Sequence, residues 1–170
     1  MNEIEKTFLA KRLPERLKKC QRKEIIDHYI PVSRQHPTIR IRNIGNNHEL
    51  TRKEPINRKD PSFQKETTIF LNKEEYNVLV KLPAKVVHKI RYIYKYKNRI
   101  AEIDVFLNKL KGLVLVEVEF ENKREMKNFE MPDFCLADVT NEKRLAGGCL
   151  AGKKYTDLSR ILEKYKYREI

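Results

Sequence analysis

Apolar and polar side chains alternate residue by residue over much of this chain. In Val114-Leu115-Val116-Glu117-Val118-Glu119-Phe120, a strand would set Glu117 and Glu119 on one face and Val116, Val118 and Phe120 on the other. Like-faced charge doublets recur from one end of the chain to the other: Glu3 with Glu5, Arg40 with Arg42, Lys89 with Arg91, and Glu102 with Asp104.

This pattern predicts strands over residues 3–9, 23–31, 38–44, 48–54, 66–71, 86–96, 100–107 and 113–120. Gly45-Asn46-Asn47 supplies hairpin turn chemistry, and Lys97-Asn98-Arg99 joins a second close pair. Asn72 with Glu75, and Asn122 with Glu125, read as capping boxes, each opening a short amphipathic helix. Leu13-Pro14 predicts a further short helix. A basic helix at about 154–168 places Leu158, Ile161, Leu162 and Tyr165 on one side. Residues 55–65 are polar and offer nothing to anchor a core, so they read as a mobile loop. Eight strands with short turns predict an α+β fold, mainly β: an eight-stranded antiparallel closed barrel, or tunnel, with peripheral helices.

A closed barrel has an inside, and small barrels ordinarily fill theirs with apolar side chains. Three features point the other way here. The helices need an apolar surface to pack on, and Ile39, Ile41, Ile103, Val105, Val116, Val118 and Phe120 would provide it on the outside. The opposite face carries acids and bases in separate doublets, and an eight-stranded interior has room for one small ligand. Charges taken out of water cost several kcal/mol each unless paired or ligated, so an ionic inner face demands a wet tunnel.

The 170 residues suit a single domain spanning 1–170, with the C-terminal helix as a lid or plug. No apolar run is long enough to cross a bilayer. Acids stand in the first ten residues, where a secretory signal would be basic and then apolar, so a cytoplasmic location is expected. Cys20, Cys135 and Cys149 lack zinc or disulfide spacing, and the four histidines are not spaced as zinc ligands. Gly147-Gly148 precedes Cys149 instead of the Lys-Ser/Thr of a phosphate loop and reads as a turn. With 37 Lys+Arg against 24 Asp+Glu, the net charge of +13 attracts polyanions: nucleic acid, anionic lipid or a small phosphorylated molecule. The interleaved bases and aromatics of residues 91–97 could stack single-stranded nucleic acid, although lysines snorkelling from a strand edge explain them as well, so nucleic acid is a secondary partner.

Glu3, Glu5, Asp104, Glu117 and Glu119 are hard oxygen ligands suited to Mg²⁺ or Mn²⁺. Arg40, Arg42, Lys53, Lys89 and Arg91 can fork onto or neutralise phosphate oxygens. Together they describe a polyphosphate held between cations and a divalent metal, as phosphoryl transfer requires.

The ordered set of Glu3-Ile4-Glu5, Thr38-Ile39-Arg40-Ile41-Arg42, Leu50-Thr51-Arg52-Lys53, Glu66, Lys89-Ile90-Arg91-Tyr92, Ile103-Asp104-Val105-Phe106 and Glu117-Val118-Glu119 resembles the CYTH proteins, the triphosphate tunnel metalloenzymes. The resemblance implies a metal-dependent hydrolase of inorganic tripolyphosphate or an organic triphosphate, acting as a monomer or homodimer. It makes Glu3, Glu5 and Glu119 the metal ligands, with Glu117 close by, and Arg40, Arg42, Lys53, Lys89 and Arg91 the phosphate clamp. Asp104 and Glu66 would hold those bases or assist the attacking water. The family also contains class IV adenylate cyclases, so a lyase remains an alternative, as does a non-catalytic binder of polyphosphate or RNA. Two departures stand out. Thr7 occupies the position of the family lysine in Glu-x-Glu-x-Lys, which leaves Tyr29 as the remaining member of a Lys–Tyr catalytic pair; Lys6 would substitute only if a bulge turned it inward. Thr68, not a second acid, follows Glu66 on the same face.

Overall fold

A computed structural model describes residues 2–57 and 60–170, with the side chains of residues 2, 3, 60 and 61 outside that description. The strands are β1 (Asn2–Ala10), β2 (Arg22–Ile30), β3 (Ile39–Ile44), β4 (Asn47–Asn57), β5 (Asp60–Leu71), β6 (Lys85–Tyr96), β7 (Arg99–Phe106), β8 (Val114–Phe120) and β9 (Cys135–Asp138). They pair antiparallel in the order β5-β4-β3-β2-β6-β7-β8-β1, and β1–β5 pairing through Glu3↔Gln64 and Ile4↔Phe63 closes the ring. Closure removes the two free edges that an open sheet of this size would expose.

The two hairpin turns form as the sequence predicts. Ile44 lies opposite Asn47 across Gly45-Asn46, and Gly45 takes φ 60°, which glycine adopts without a Cβ penalty. Tyr96 faces Arg99 across Lys97-Asn98. Elsewhere the expectations need correction. Of residues 55–65, expected as a loop, 55–57 and 60–65 are strand and 58 and 59 lie outside the described residues; Pro55↔Gln64 and Asn57↔Asp60 pair, with a register irregularity after Pro55, which has no N–H to give the ladder. A neighbouring strand decides this pairing, and local polarity does not reveal it. The helix expected near Leu13 is a 3-10 turn at Leu17–Lys19. The long C-terminal helix is a 3-10 turn at Tyr155–Leu158 followed by the short helix Ser159–Lys164. The sequence pattern also missed β9, which takes the edge of β1 beyond β5, pairing Phe8↔Asp138 and Leu9↔Ala137.

The barrel's apolar side chains form two groups. On the outside of β1, β7 and β8, Phe8, Ala101, Ile103, Val116, Val118 and Phe120 pack with Phe134 beneath the capped helix Lys123–Asn128, whose Met126 joins them. Phe129 adds tilted and edge contacts to Phe8 and Phe120, with ring centroids 6.1 and 5.1 Å apart.

The second group begins inside. Along four strands the inward side chains pass from charged to apolar at the same end: Glu5-Thr7-Leu9, Glu119-Glu117-Leu115, Arg91-Lys89-Val87 and Glu102-Asp104-Phe106. Leu9, Leu115, Val87 and Phe106 pack there with Leu145, Leu150, Leu158, Ile161, Leu162 and Tyr167. The Tyr167 hydroxyl accepts from Val114 N–H and donates to Gly112 O, both at 2.8 Å, which ties the end of the chain to the barrel.

Because Ile103 is fully buried, Ile103→Ala should cost about 3 kcal/mol of unfolding free energy in urea titrations. Ile69→Ala, at a side chain 55% exposed, should change stability by less than about 0.5 kcal/mol.

Candidate functional site

Beyond the apolar end, the inner faces of the strands enclose a cavity of about 450 Å³. It is lined by ten of the residues expected to matter: Glu5, Tyr29, Arg40, Arg42, Lys53, Glu66, Lys89, Arg91, Glu117 and Glu119. Asp104 lies behind this wall, fully buried. The side chain of Glu3 falls outside the described residues.

Strand register explains how the bases are held. Arg91 stands directly opposite Asp104, to which Nε donates at 2.7 Å and Nη2 at 2.6 Å. The same guanidinium contacts Glu102 and Glu117, and Lys89 Nζ also contacts Asp104. On the other side of β2, Arg42 lies opposite Asp27 and forms a two-pronged pair with it, Nε at 2.6 Å and Nη2 at 2.9 Å. Arg40 is held more loosely, 3.9 Å from Asp27 and 4.0 Å from Glu66. Its Nε is buried without a hydrogen-bond partner. A donor in that state carries a desolvation cost until an acceptor meets it.

Glu5 and Glu119 face each other directly across β1 and β8. Opposed like charges on one sheet face are unfavourable unless a cation intervenes. Glu5 receives Lys53 Nζ at 3.1 and 3.2 Å and Gln64 Nε2 at 2.8 Å. A pair of opposed carboxylates beside an amide is a donor set that fits a hard divalent cation. Among the described residues no group of three His, Cys, Asp or Glu side chains is assembled as a metal cage.

The electrostatics follow from burial and pairing. Burial pushes the Glu117 carboxyl up, but Arg91, Lys89 and Lys53 outweigh it and hold it down at about 2. Glu102 moves the other way: burial raises it, Arg91 opposes, and Glu117 and Asp104 add to the rise. Burial lowers Lys89, and Arg91 adds to that, against the pull of Asp104 and Glu117. Burial and Asp27 raise the Tyr29 phenol, so it keeps its proton.

Overall, Glu5, Glu66, Glu102, Glu117, Glu119 and Glu142 face Arg40, Arg42, Lys53, Lys89, Arg91 and Lys143 around the cavity. With Asp27 and Asp104 buried behind them, the described interior has no positive surplus, although the chain carries +13. That surplus is carried by residues outside this lining.

Thr7 lines the cavity at the position of the expected lysine. Its N–H donates to Thr140 Oγ1 at 3.1 Å and its carbonyl accepts from Val139 N–H at 2.8 Å. The β1–β8 register runs unbroken through Lys6↔Val118 and Thr7↔Glu117, and Lys6 Nζ is 3.4 Å from Asp138. No bulge turns Lys6 inward. Thr68, in place of a second acid, lies opposite Thr51 with the two hydroxyls 3.2 Å apart.

Sequence reasoning put Glu102 on the charged face without giving it a role, and missed Asp27, Gln64 and the wall built by residues 139–148. Asp27 carried a signal, since it shares a strand face with Tyr29; Gln64 had none, because it sat in the expected loop. Gly147-Gly148 is not simply a turn. A Cβ on Gly147 would lie 2.4 Å from Tyr29 Oη, and one on Gly148 would lie 2.7 Å from both His36 Cδ2 and Pro37 O, so both positions need glycine for close packing.

Residues 1–134 match the CYTH domain family, and the chain belongs to that family. An inorganic triphosphatase from Acetivibrio thermocellus is 30% identical to it over 70 residues, which is 41% of this chain and 44% of the relative. The aligned stretch therefore spans less than half the relative's length. The crystal structure of the inorganic triphosphatase NE1496 superposes with a TM-score of 0.65 at 25% identity, covering 89% of this chain and 95% of that one. A putative adenylate cyclase from Bacillus halodurans shares the fold, with a TM-score of 0.57 at 15% identity over 99% of this chain and 91% of its own. Among the described residues, no helix is long and apolar enough to cross a membrane.

Arg42 and Arg40 outweigh the burial of Asp27 and hold its carboxyl well below the ordinary value of 3.8. Its charge therefore stabilises the fold fully above that pH, and the contribution is lost as pH falls below it toward the depressed folded value. The stability difference between wild type and Asp27→Asn should accordingly be largest above about pH 5 and narrow progressively below pH 3.8, as measured by denaturant titration across pH.

Proposed function

We propose that this chain is a divalent-metal-dependent hydrolase of triphosphate compounds, bound within the charged cavity. One observation carries the reading: five bases converge on a cavity where Arg40 Nε has no acceptor, beside opposed carboxylates suited to a metal. The likeness to two inorganic triphosphatases supports it and favours inorganic tripolyphosphate as the first substrate to try.

Arg40, Arg42, Lys53, Lys89 and Arg91 would take the phosphate oxygens, and Glu5 and Glu119, with Glu3, would hold Mg²⁺ or Mn²⁺. When bound, that cation would neutralise developing charge on the phosphates and orient the attacking water. An interior with no positive surplus cannot attract a polyanion by charge alone, so metal and triphosphate should bind together. Lys53 and Glu5, now paired with each other, would exchange partners as that happens. Asp104 keeps Lys89 and Arg91 aligned from behind the wall. Glu66 steadies Arg40 and Lys53, which are both 4.0 Å from its Oε2. Glu117, ionised and facing the cavity, is suited to orient the water, while the Tyr29 phenol serves as a hydrogen-bond donor. The C-terminal residues packed on the apolar end would act as a plug, so that substrate enters from elsewhere.

Thr7 supports a second reading, a polyphosphate-binding protein without turnover, because it cannot supply the cationic amine of a lysine. Phosphate release measured over tripolyphosphate, thiamine triphosphate and nucleoside triphosphates with Mg²⁺ and Mn²⁺ decides between the two. Hydrolysis should depend on the metal, and Glu117→Gln or Arg40→Ala should each reduce it by about 100-fold or more. Thr7→Lys should increase it. Absence of release from every compound, with tight metal-linked binding that Thr7→Lys does not convert into turnover, would establish the binder. Cyclic AMP among the products from ATP would instead assign a lyase.

A further inference from the structure

Each pair of strand-borne bases in the cavity has an aspartate behind it. Asp104 serves Lys89 and Arg91; Asp27 serves Arg42 and Arg40. Neither aspartate is among the residues lining the cavity, and both are buried beneath the bases they hold.

We propose that Asp27 is a positioning residue for triphosphate binding, fixing Arg42 and restraining Arg40 so that both guanidinium groups face the phosphates. This rests on the triphosphate reading above. Asp27 is 1% exposed and stands directly across from Arg42 in the β2–β3 register, while Tyr29, the next inward residue of β2, stands across from Arg40. Two parallel hydrogen bonds of 2.6 and 2.9 Å fix the plane of the Arg42 guanidinium as a single bond would not. The same carboxylate lies 3.9 Å from Arg40 Nε. Arg40 and Arg42 are like charges two residues apart on one strand face, and a buried anion between them offsets their repulsion before any phosphate arrives. Asp27 does this from outside the cavity, so a bound phosphate need not displace it.

The test measures kcat and KM for tripolyphosphate with Mg²⁺ or Mn²⁺, and tripolyphosphate Kd by calorimetry. The variants are Asp27→Asn, Asp27→Glu, Arg42→Ala and the Asp27→Asn/Arg42→Ala double. Asp27→Asn should raise KM and Kd at least about tenfold, the size of one charge-assisted hydrogen bond, with a smaller effect on kcat. Asp27→Glu keeps the charge and should retain more affinity than Asp27→Asn, although its extra methylene disturbs packing more. Adding Asp27→Asn to Arg42→Ala should weaken Kd by less than about threefold, because the main partner is already gone.

Affinity within twofold of wild type in folded Asp27→Asn would overturn the role, as would additive losses or a Glu variant no better than Asn. Should Asp27→Asn alone fail to fold, the double variant against Arg42→Ala decides: a further loss of tenfold or more refutes positioning through Arg42. A wild-type chain that neither binds nor cleaves tripolyphosphate, thiamine triphosphate or a nucleoside triphosphate overturns the triphosphate reading together with this one. Wild-type binding that is indifferent to Asp27 overturns this one alone.

Discussion

A charge inside a closed β-barrel must find a partner or a ligand, because burial without either costs more than the fold can tolerate. That constraint shapes the middle of this molecule. Arg42 meets Asp27, Arg91 meets Asp104, and Lys53 meets Glu5, each across neighbouring or converging strands. The directly opposed pairs, Asp27 with Arg42 and Asp104 with Arg91, exist because antiparallel register sets one inward side chain against another. Breaking either pair would leave the opposite charge uncompensated, which is the more damaging half of the loss.

The same register divides the barrel along its axis. At one end the inward positions are Leu9, Val87, Phe106 and Leu115, and the C-terminal residues pack on them. Farther along, those faces become ionic and line the cavity. An apolar floor beneath a charged chamber limits water on one side and keeps the electrostatic interactions above it strong. Outside, the greasy faces of β1, β7 and β8 lie under a short capped helix and Phe134. The barrel thus inverts the usual arrangement only along the stretch that lines the cavity.

Near-balance of charge in the chamber bears on function. A cavity with a surplus of bases would take any polyanion, including nucleic acid, whereas in this one the acids of the lining match the bases in number, which is why the proposed reading has metal and triphosphate bind together. The chain belongs to the CYTH family and is similar to inorganic triphosphatases. The departure at Thr7 is local: its backbone is fully tied to residues 139 and 140, and Lys6 is committed to Asp138. Lys6 has therefore not moved in to replace the missing amine.

Alternation alone determined that Glu117 and Glu119 share a face, as do Arg40 and Arg42, and Lys89 and Arg91, because consecutive side chains on a strand must point opposite ways. Turn and cap residues likewise determined the hairpin turns and the two capped helices, whose signals are local hydrogen bonds. Tertiary structure decided what no neighbour in sequence can encode. It made residues 55–57 and 60–65 strand by supplying a partner, pressed Gly147 and Gly148 onto Tyr29 and His36, and added β9 to the edge of β1. It also gave Asp27 its place behind two arginines. In each case the deciding contact joins residues distant in the chain, and only closure of the barrel brings them within reach.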